Sequence, residues 1–129
     1  AQESLIRTVL QNAKLKGSDI DFVEAHGTGT PLGDPIEVRA IGATYGVRGE
    51  TNPLKLGAVK TNIGHLEGAA GIAGVIKIIL AIIHELLPAN LHFTKLNPEI
   101  QKNFPFEILT QNKKWQRTVH IRRAAISSF

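Results

Sequence analysis

Two histidines of this 129-residue chain come directly after short apolar segments and lie in glycine-rich stretches. His26 follows the segment 20–25, and His65 closes the stretch that follows the segment 56–59. Glycine lets backbone N–H groups approach a ligand closely, and the N–H groups at a helix start favour negative charge. A histidine beside a helix N-terminus is disfavoured as a cation and stays a neutral donor. Two such imidazoles aimed at one spot would stabilise an enolate or oxyanion.

A structural role for both histidines stands as the alternative. A histidine after a strand is more often a hydrogen-bonded structural residue than a catalyst. His84, His92 and His120 have no comparable loop context, so we interpret them as structural. The chain has neither an HExxH motif nor close spacing of histidines and carboxylates, so we predict no metal site.

The stretch 27–30 (GTGT) raises the question of a phosphate cradle. It lacks the Lys-Ser/Thr ending of a P-loop, so we reject that interpretation. Thr28 and Thr30 either stabilise the loop or bind an amide-rich ligand, and the residues alone favour neither role.

Segments of helical periodicity alternate with short apolar strands, which predicts an α/β layer fold. Asp34, Pro35 and Glu37 fit a helix start, with Asp34 as the cap, Pro35 at the first position and Glu37 completing a capping box. The segment 60–65 is predicted to be a loop. The predicted helices are 3–15, 34–45 and 68–85, and the predicted strands are 20–25, 56–59, 106–109 and 119–127.

The segment 69–83 is apolar on every side and includes only one charge, Lys77. It is shorter than the roughly 20 residues that cross a bilayer, so a buried helix is the better interpretation. One small sheet cannot cover such a helix all round. We therefore expect a second layer or lobe outside this chain, and we expect the chain to be a piece of a longer protein.

Composition excludes several classes of protein. With 43% hydrophobic and 20% charged residues, disorder and coiled coil are disfavoured. The absence of cysteine excludes disulfides, thiolate metal sites and a cysteine nucleophile within the chain, and it is compatible with a reducing compartment. The net charge of +4 is concentrated after residue 102, but only 5% of the residues are aromatic, which disfavours nucleic-acid binding. A solvated face or a dock for an acidic partner is the better interpretation.

Two long motifs carry a resemblance to a known family. Residues 23–37 (VEAHGTGTPLGDPIE) and 57–71 (GAVKTNIGHLEGAAG) resemble the two C-terminal signatures of the β-ketoacyl synthases, especially the ketosynthase domains of modular polyketide synthases. Residues 87–93 (LPANLHF) and 123–129 (RAAISSF) also fit, in order, so the similarity covers nearly the whole chain.

The resemblance implies the C-terminal lobe of a thiolase-like αβαβα fold, with residues 1–129 forming part of a ketosynthase domain truncated at both ends. The family reaction is a decarboxylative Claisen condensation between an acyl chain on a cysteine and a malonyl-type extender on an acyl carrier protein. His26 and His65 match the two histidines of the family's Cys-His-His triad. Their expected role is to hydrogen-bond the malonyl thioester carbonyl as CO2 leaves.

Other site residues follow from the same resemblance. Thr28 and Thr30 match positions that contact the phosphopantetheine arm. Lys60 matches the family lysine held near the second histidine, and Asp34 and Glu37 match acidic residues near it. Glu37 is the expected partner of Lys60, besides its helix-capping role.

Two further positions can be compared with the family, Gly74 and Phe129. Stand-alone fatty-acid synthases usually carry a glutamate where this chain has Gly74, as is common in polyketide types. Phe129 matches the residue before a glycine-rich gating loop.

The resemblance also implies partners and limits. The expected partners are the acyl carrier protein, the N-terminal half of the same ketosynthase and a second copy in a homodimer, with no nucleic acid, membrane or intrinsic cofactor and a cytoplasmic location. The nucleophilic cysteine belongs to the N-terminal half, so we predict that the isolated chain is inactive. A non-catalytic chain-length or decarboxylase-type relative is the alternative. A thiolase or chalcone-synthase-like enzyme is not expected to carry this pair of motifs.

Overall fold

The computed structural model describes all residues from Ala1 to Phe129. Helices and strands alternate through the first two thirds of the chain. The elements in chain order are α1 (Gln2–Ala13), β1 (Phe22–Glu24), α2 (Gly33–Tyr45), β2 (Leu54–Gly57), α3 (Lys60–Ile63), α4 (Ala70–Ile83), β3 (Leu86–Leu87), β4 (Phe106–Ile108), β5 (Lys113–Lys114) and β6 (Ala124–Ile126). Four strands form a parallel sheet in the order β4-β2-β1-β6, and β3 pairs with β5 in a separate antiparallel ribbon.

Helices cover both faces of the four-stranded sheet. Successive side chains of a strand point to opposite faces, and in β1 the buried neighbours Phe22 and Val23 belong to different core clusters. Val23 packs with apolar residues of α1 and α2, whereas Phe22 packs against Ile78 and Ala81 of α4. The order is therefore α1 and α2, the sheet, and then α4, which confirms the predicted α/β layering.

Three of the four predicted strands are shorter than predicted, the second is displaced to Leu54–Gly57, and one predicted loop contains a helix. The segment 119–127 forms a strand only over Ala124–Ile126. Just before it, the Arg123 N–H bonds the Asp21 side chain instead of a neighbouring strand. Residues 60–65, predicted as a loop, begin with the one-turn helix α3, whose last turn is closed by the bond from the Gly64 N–H to the Lys60 carbonyl.

The start of α2 differs from the predicted capping box. The cap position is Leu32, whose side chain makes no capping hydrogen bond, and the Thr30 hydroxyl accepts the Gly33 N–H instead. The Asp34 and Glu37 carboxylates instead accept N–H groups from the preceding loop, at Gly29, His26 and Gly27. The local sequence fits a capping box, but the loop folds back over the helix start, and its N–H groups bond both carboxylates.

One face of α4 is buried against the sheet and the other is open. Gly74, Ile78 and Ala81 face the core, as the packing of a helix on a sheet requires. The exposed apolar residues of this helix are Ile72, Val75, Ile76, Ile79, Leu80 and Ile83. The expected cover for this face does not come from residues 1–129. None of the helices is both long and apolar enough to span a membrane.

Candidate active site

His26 lies directly beyond the end of β1 and is held by two donors. The Lys60 Nζ lies 3.4 Å from its Nδ1, and the Phe129 N–H donates to the same nitrogen at 3.3 Å. Because an ammonium and a backbone N–H both donate, Nδ1 acts as the acceptor. The neutral ring therefore carries its hydrogen on Nε2.

His65 is placed by a glycine turn after α3. Gly64 adopts φ 74° and ψ −170°, a conformation open almost only to glycine. The Glu67 N–H then donates to the His65 Nδ1 at 2.9 Å, so this ring also presents Nε2 as its donor. The two imidazole centroids lie 5.5 Å apart and the rings are nearly perpendicular, at 84°.

The surroundings of His26 disfavour its charged form. Partial burial lowers the pKa of His26 below 6.5, and the positive charge of Lys60 and the neighbouring His65 lower it further, while Asp34 acts in the opposite direction. Burial and a neighbouring cation thus keep His26 a neutral donor. The sequence predicts the same neutral state from a neighbouring helix N-terminus.

Glu37 holds the first histidine loop in place. Its side chain is buried at 6% exposure, and its two oxygens accept the N–H groups of His26 at 2.7 Å and Gly27 at 2.9 Å. Burial raises the pKa of Glu37, and these two hydrogen bonds offset part of that rise. Asp34 accepts the Gly29 N–H at 3.1 Å and fixes the next part of the loop. Both carboxylates therefore act here as anchors for backbone N–H groups.

Lys60 contacts the first histidine, His26, whose ring centre lies 5.5 Å from that of the second histidine, His65. Its ammonium lies beside His26, and no ion pair joins it to Glu37, the partner expected from the sequence. The Glu37 oxygens are already occupied by two backbone donors. Lys60 therefore acts on the His26 ring directly.

The remaining predicted residues lie at the exposed side of the site. The Thr30 Oγ1 accepts the Gly33 N–H at 3.0 Å and lies 3.3 Å from the Thr28 Oγ1. These bonds stabilise the loop, while both threonines remain exposed. The ring of Phe129 packs edge-on against His26 with centroids 5.6 Å apart.

Three residues that position the loops were not singled out in the sequence. Asn90 is buried and its Oδ1 accepts the Ala58 N–H at 2.8 Å, while its amide group donates to the Leu56 carbonyl at 3.1 Å. Glu24 and Lys77 form a buried ion pair beneath the site. A lone lysine in an otherwise apolar helix was the available signal for this pair. Asn90 lies in the fitted stretch 87–93, but nothing in its type indicated a buried bridge.

Two imidazoles that each accept a hydrogen bond at Nδ1 can both donate through Nε2–H to one developing negative oxygen. No group of three or more histidine or carboxylate side chains in residues 1–129 could hold a metal ion.

Comparison with known proteins identifies the family of this chain. The family model described as "Beta-ketoacyl synthase, C-terminal domain" matches residues 1–94. The chain is 53% identical to polyketide synthase GfsA of Streptomyces halstedii and 47% identical to erythronolide synthase EryA3 of Saccharopolyspora erythraea, over its full length. It spans 2% and 4% of those proteins, respectively.

Solved structures give the same result. Ketosynthase twelve of the bacillaene polyketide synthase of Bacillus amyloliquefaciens superposes with a TM-score of 0.91 at 39% identity, over 99% of this chain and 23% of that one. The oxazolomycin ketosynthase domain OzmH KS7 of Streptomyces albus gives a TM-score of 0.89 at 38% identity, over 100% of this chain and 23% of that one. The predicted thiolase-like fold is confirmed. The chain therefore belongs to the β-ketoacyl synthase C-terminal domain family.

Proposed function

We propose that residues 1–129 are the C-terminal part of a ketosynthase domain, whose whole protein catalyses decarboxylative Claisen condensation in polyketide synthesis. Family membership and the similarity to polyketide synthases support this proposal. The single observation that carries it is the facing pair of imidazoles, His26 and His65, each with its Nδ1 engaged by a donor.

In the proposed reaction, the bond between the malonyl α-carbon and its carboxyl carbon breaks, and CO2 leaves. The electron pair forms an enolate, whose thioester oxygen accepts hydrogen bonds from the Nε2–H groups of His26 and His65. The α-carbon then attacks the carbonyl carbon of an acyl chain held on a cysteine. A carbon–carbon bond forms, the carbon–sulfur bond to the enzyme breaks, and the cysteine leaves as a thiolate.

The other site residues support this step in distinct ways. Lys60 keeps His26 neutral, while Asp34 and Glu37 hold the loop that carries it. Thr28 and Thr30 are proposed to contact the phosphopantetheine arm, because both hydroxyls lie on the exposed face of the loop. Phe129 packs against His26 and fixes its ring plane.

The proposed whole enzyme includes parts that residues 1–129 do not supply. These residues contain no cysteine, and covalent acyl transfer requires that nucleophile. The N-terminal half of the ketosynthase is proposed to supply it and to cover the exposed face of α4. The acyl carrier protein delivers substrates on phosphopantetheine. Two copies of the ketosynthase form a homodimer in the cytoplasm. No intrinsic cofactor takes part.

The test is His65→Ala in the complete ketosynthase domain. We expect malonyl decarboxylation, followed as CO2 release from malonyl carrier protein, to be lost, while acyl loading of the cysteine persists. His84→Ala is the matched control, because His84 lies at the far end of α4 and makes no side-chain hydrogen bond to either loop. Equal decarboxylation in His65→Ala and the unchanged domain would refute the role of His65. Decarboxylation without condensation in the unchanged domain would instead indicate the non-catalytic relative.

A further inference from the structure

A buried ion pair lies under the site and takes no part in the proposed chemistry. The Lys77 Nζ of α4 lies 2.6 Å from the Glu24 Oε2 at the end of β1. The side chains are 9% and 2% exposed, respectively. Lys77 also lies 5.5 Å from the centre of the Phe22 ring. Both charges are therefore removed from water, which costs free energy that their attraction does not reliably return.

The second Glu24 oxygen holds the turn that carries Lys60. Glu24 Oε1 accepts the N–H of Val59, the residue immediately before α3 and Lys60. Lys77 fixes one oxygen of the carboxylate, so the other is aimed at this N–H. The position of the Lys60 backbone thus depends on a carboxylate from the neighbouring strand.

The Glu24 backbone also leads to His26 by a second route. Its carbonyl accepts the Ser127 N–H at 2.8 Å, and two residues later the Phe129 N–H donates to the His26 Nδ1. Both donors that hold the His26 ring, Lys60 and Phe129, therefore belong to segments bonded to Glu24. Gly74 of α4 makes room for this arrangement, since a Cβ there would lie 3.2 Å from the Glu24 Cγ.

We infer that Glu24 and Lys77 are a positioning pair that aligns Lys60 and Phe129 on His26. Neither residue touches substrate. The inference rests on the proposed function, because its readout is the decarboxylation assigned to His26 and His65. What matters at position 24 is the acceptor to Val59, and Lys77 compensates the charge of the buried carboxylate that provides it.

Two double variants of the complete ketosynthase domain separate positioning from stability. Glu24→Gln/Lys77→Met removes both charges but keeps an oxygen that accepts the Val59 N–H. Glu24→Leu/Lys77→Met removes both charges and the acceptor, with side chains of similar size. Each variant leaves one polar group without a partner, the glutamine amide N–H in the first and the Val59 N–H in the second, so the thermal midpoints of the two variants are expected to agree.

We expect Glu24→Gln/Lys77→Met to keep malonyl decarboxylation within about threefold of the unchanged domain, because the geometry is preserved. We expect Glu24→Leu/Lys77→Met to lose about 100-fold in kcat at unchanged KM, the scale of a misplaced catalytic group. Acyl loading of the cysteine is expected to be equal in both. The Val59 N–H should exchange with deuterium faster in the leucine variant alone.

Equal decarboxylation in the two variants would overturn the inference and leave the pair a structural one. If the leucine variant does not fold, the glutamine variant decides, since a loss above tenfold with intact acyl loading would contradict the role of the acceptor. Failure of the proposed function gives a different result, because the unchanged domain would then release no CO2 from malonyl carrier protein, or would release CO2 without condensation.

Discussion

Side chains hold the first histidine, His26, in place, whereas the ring of the second histidine, His65, is held by the backbone of its own segment. The Glu37 carboxylate bonds the N–H groups of His26 and Gly27, and the Lys60 side chain reaches the His26 ring. His65 is exposed, and its ring contact comes from the backbone N–H of Glu67, two residues on. Anchoring by distant side chains lets the protein set both the position and the pKa of His26. The short local contact fixes the ring nitrogen that His65 presents.

This difference predicts that the glutamate of the first loop is sensitive to substitution. Glu37→Leu leaves the partly buried N–H groups of His26 and Gly27 without an acceptor, which costs roughly 1–3 kcal/mol for each. We expect the free energy of unfolding of the complete domain to fall by about 3 kcal/mol, with loss of decarboxylation. Urea denaturation measures the first effect. Glu50→Leu, at an exposed turn, is the control and should change stability by less than about 0.5 kcal/mol. Equal losses in the two variants would contradict the anchoring role.

The second loop should be sensitive at its glycine. Gly64→Ala forces a Cβ into φ 74° and ψ −170°, which costs about 1–3 kcal/mol. We expect lower stability in urea denaturation and reduced decarboxylation, because His65 directly follows the strained residue. Gly68→Ala is the matched control, since neither a left-handed φ nor a neighbouring atom opposes a Cβ there. A Gly64→Ala domain as stable and active as Gly68→Ala would show that the turn does not position His65.

The sequence predicted the local features of the site but not the contacts between residues that are distant in the chain. The apolar strands and the glycine loops predicted where both histidines lie, because those signals are local. The bond between Lys77 and Glu24 joins residues 53 positions apart, and periodicity does not report such pairs. The family resemblance predicted Glu37 as the partner of Lys60, but the Glu37 oxygens accept the N–H groups of His26 and Gly27. The capping-box prediction failed for the same reason, because a tertiary contact displaced a local one.

The contact between Lys60 and His26 predicts how decarboxylation depends on pH. Burial and then Lys60 lower the pKa of His26 below 6.5, so acid should inactivate decarboxylation only below that value. Lys60→Met removes one of the causes that lower the pKa of His26. The acid limb of the pH profile of kcat should therefore move up toward pH 6.5. The pKa of His26 is lower in the folded domain than in the unfolded chain, so the unfolded chain binds the proton first as pH falls. The free energy of unfolding should therefore also fall as pH drops from 6.5 toward the folded pKa. An acid limb that stays in place would show that Lys60 does not tune His26.

The smallest effect is expected at the second loop's own glutamate. Glu67 is exposed and adopts φ 49°, a left-handed conformation that glycine takes without strain. Glu67→Gly keeps the N–H that bonds the His65 Nδ1, so decarboxylation should stay within about twofold. The relief of strain and the added freedom of the unfolded chain oppose each other, so stability should change by less than about 0.5 kcal/mol. Urea denaturation and CO2 release measure the two quantities. A tenfold loss of decarboxylation would show that the Glu67 side chain contributes, and the two loops would then be anchored in the same way. Unchanged stability and decarboxylation in Glu67→Gly, beside large losses in Glu37→Leu, would show that a side chain holds His26 and that the backbone holds His65.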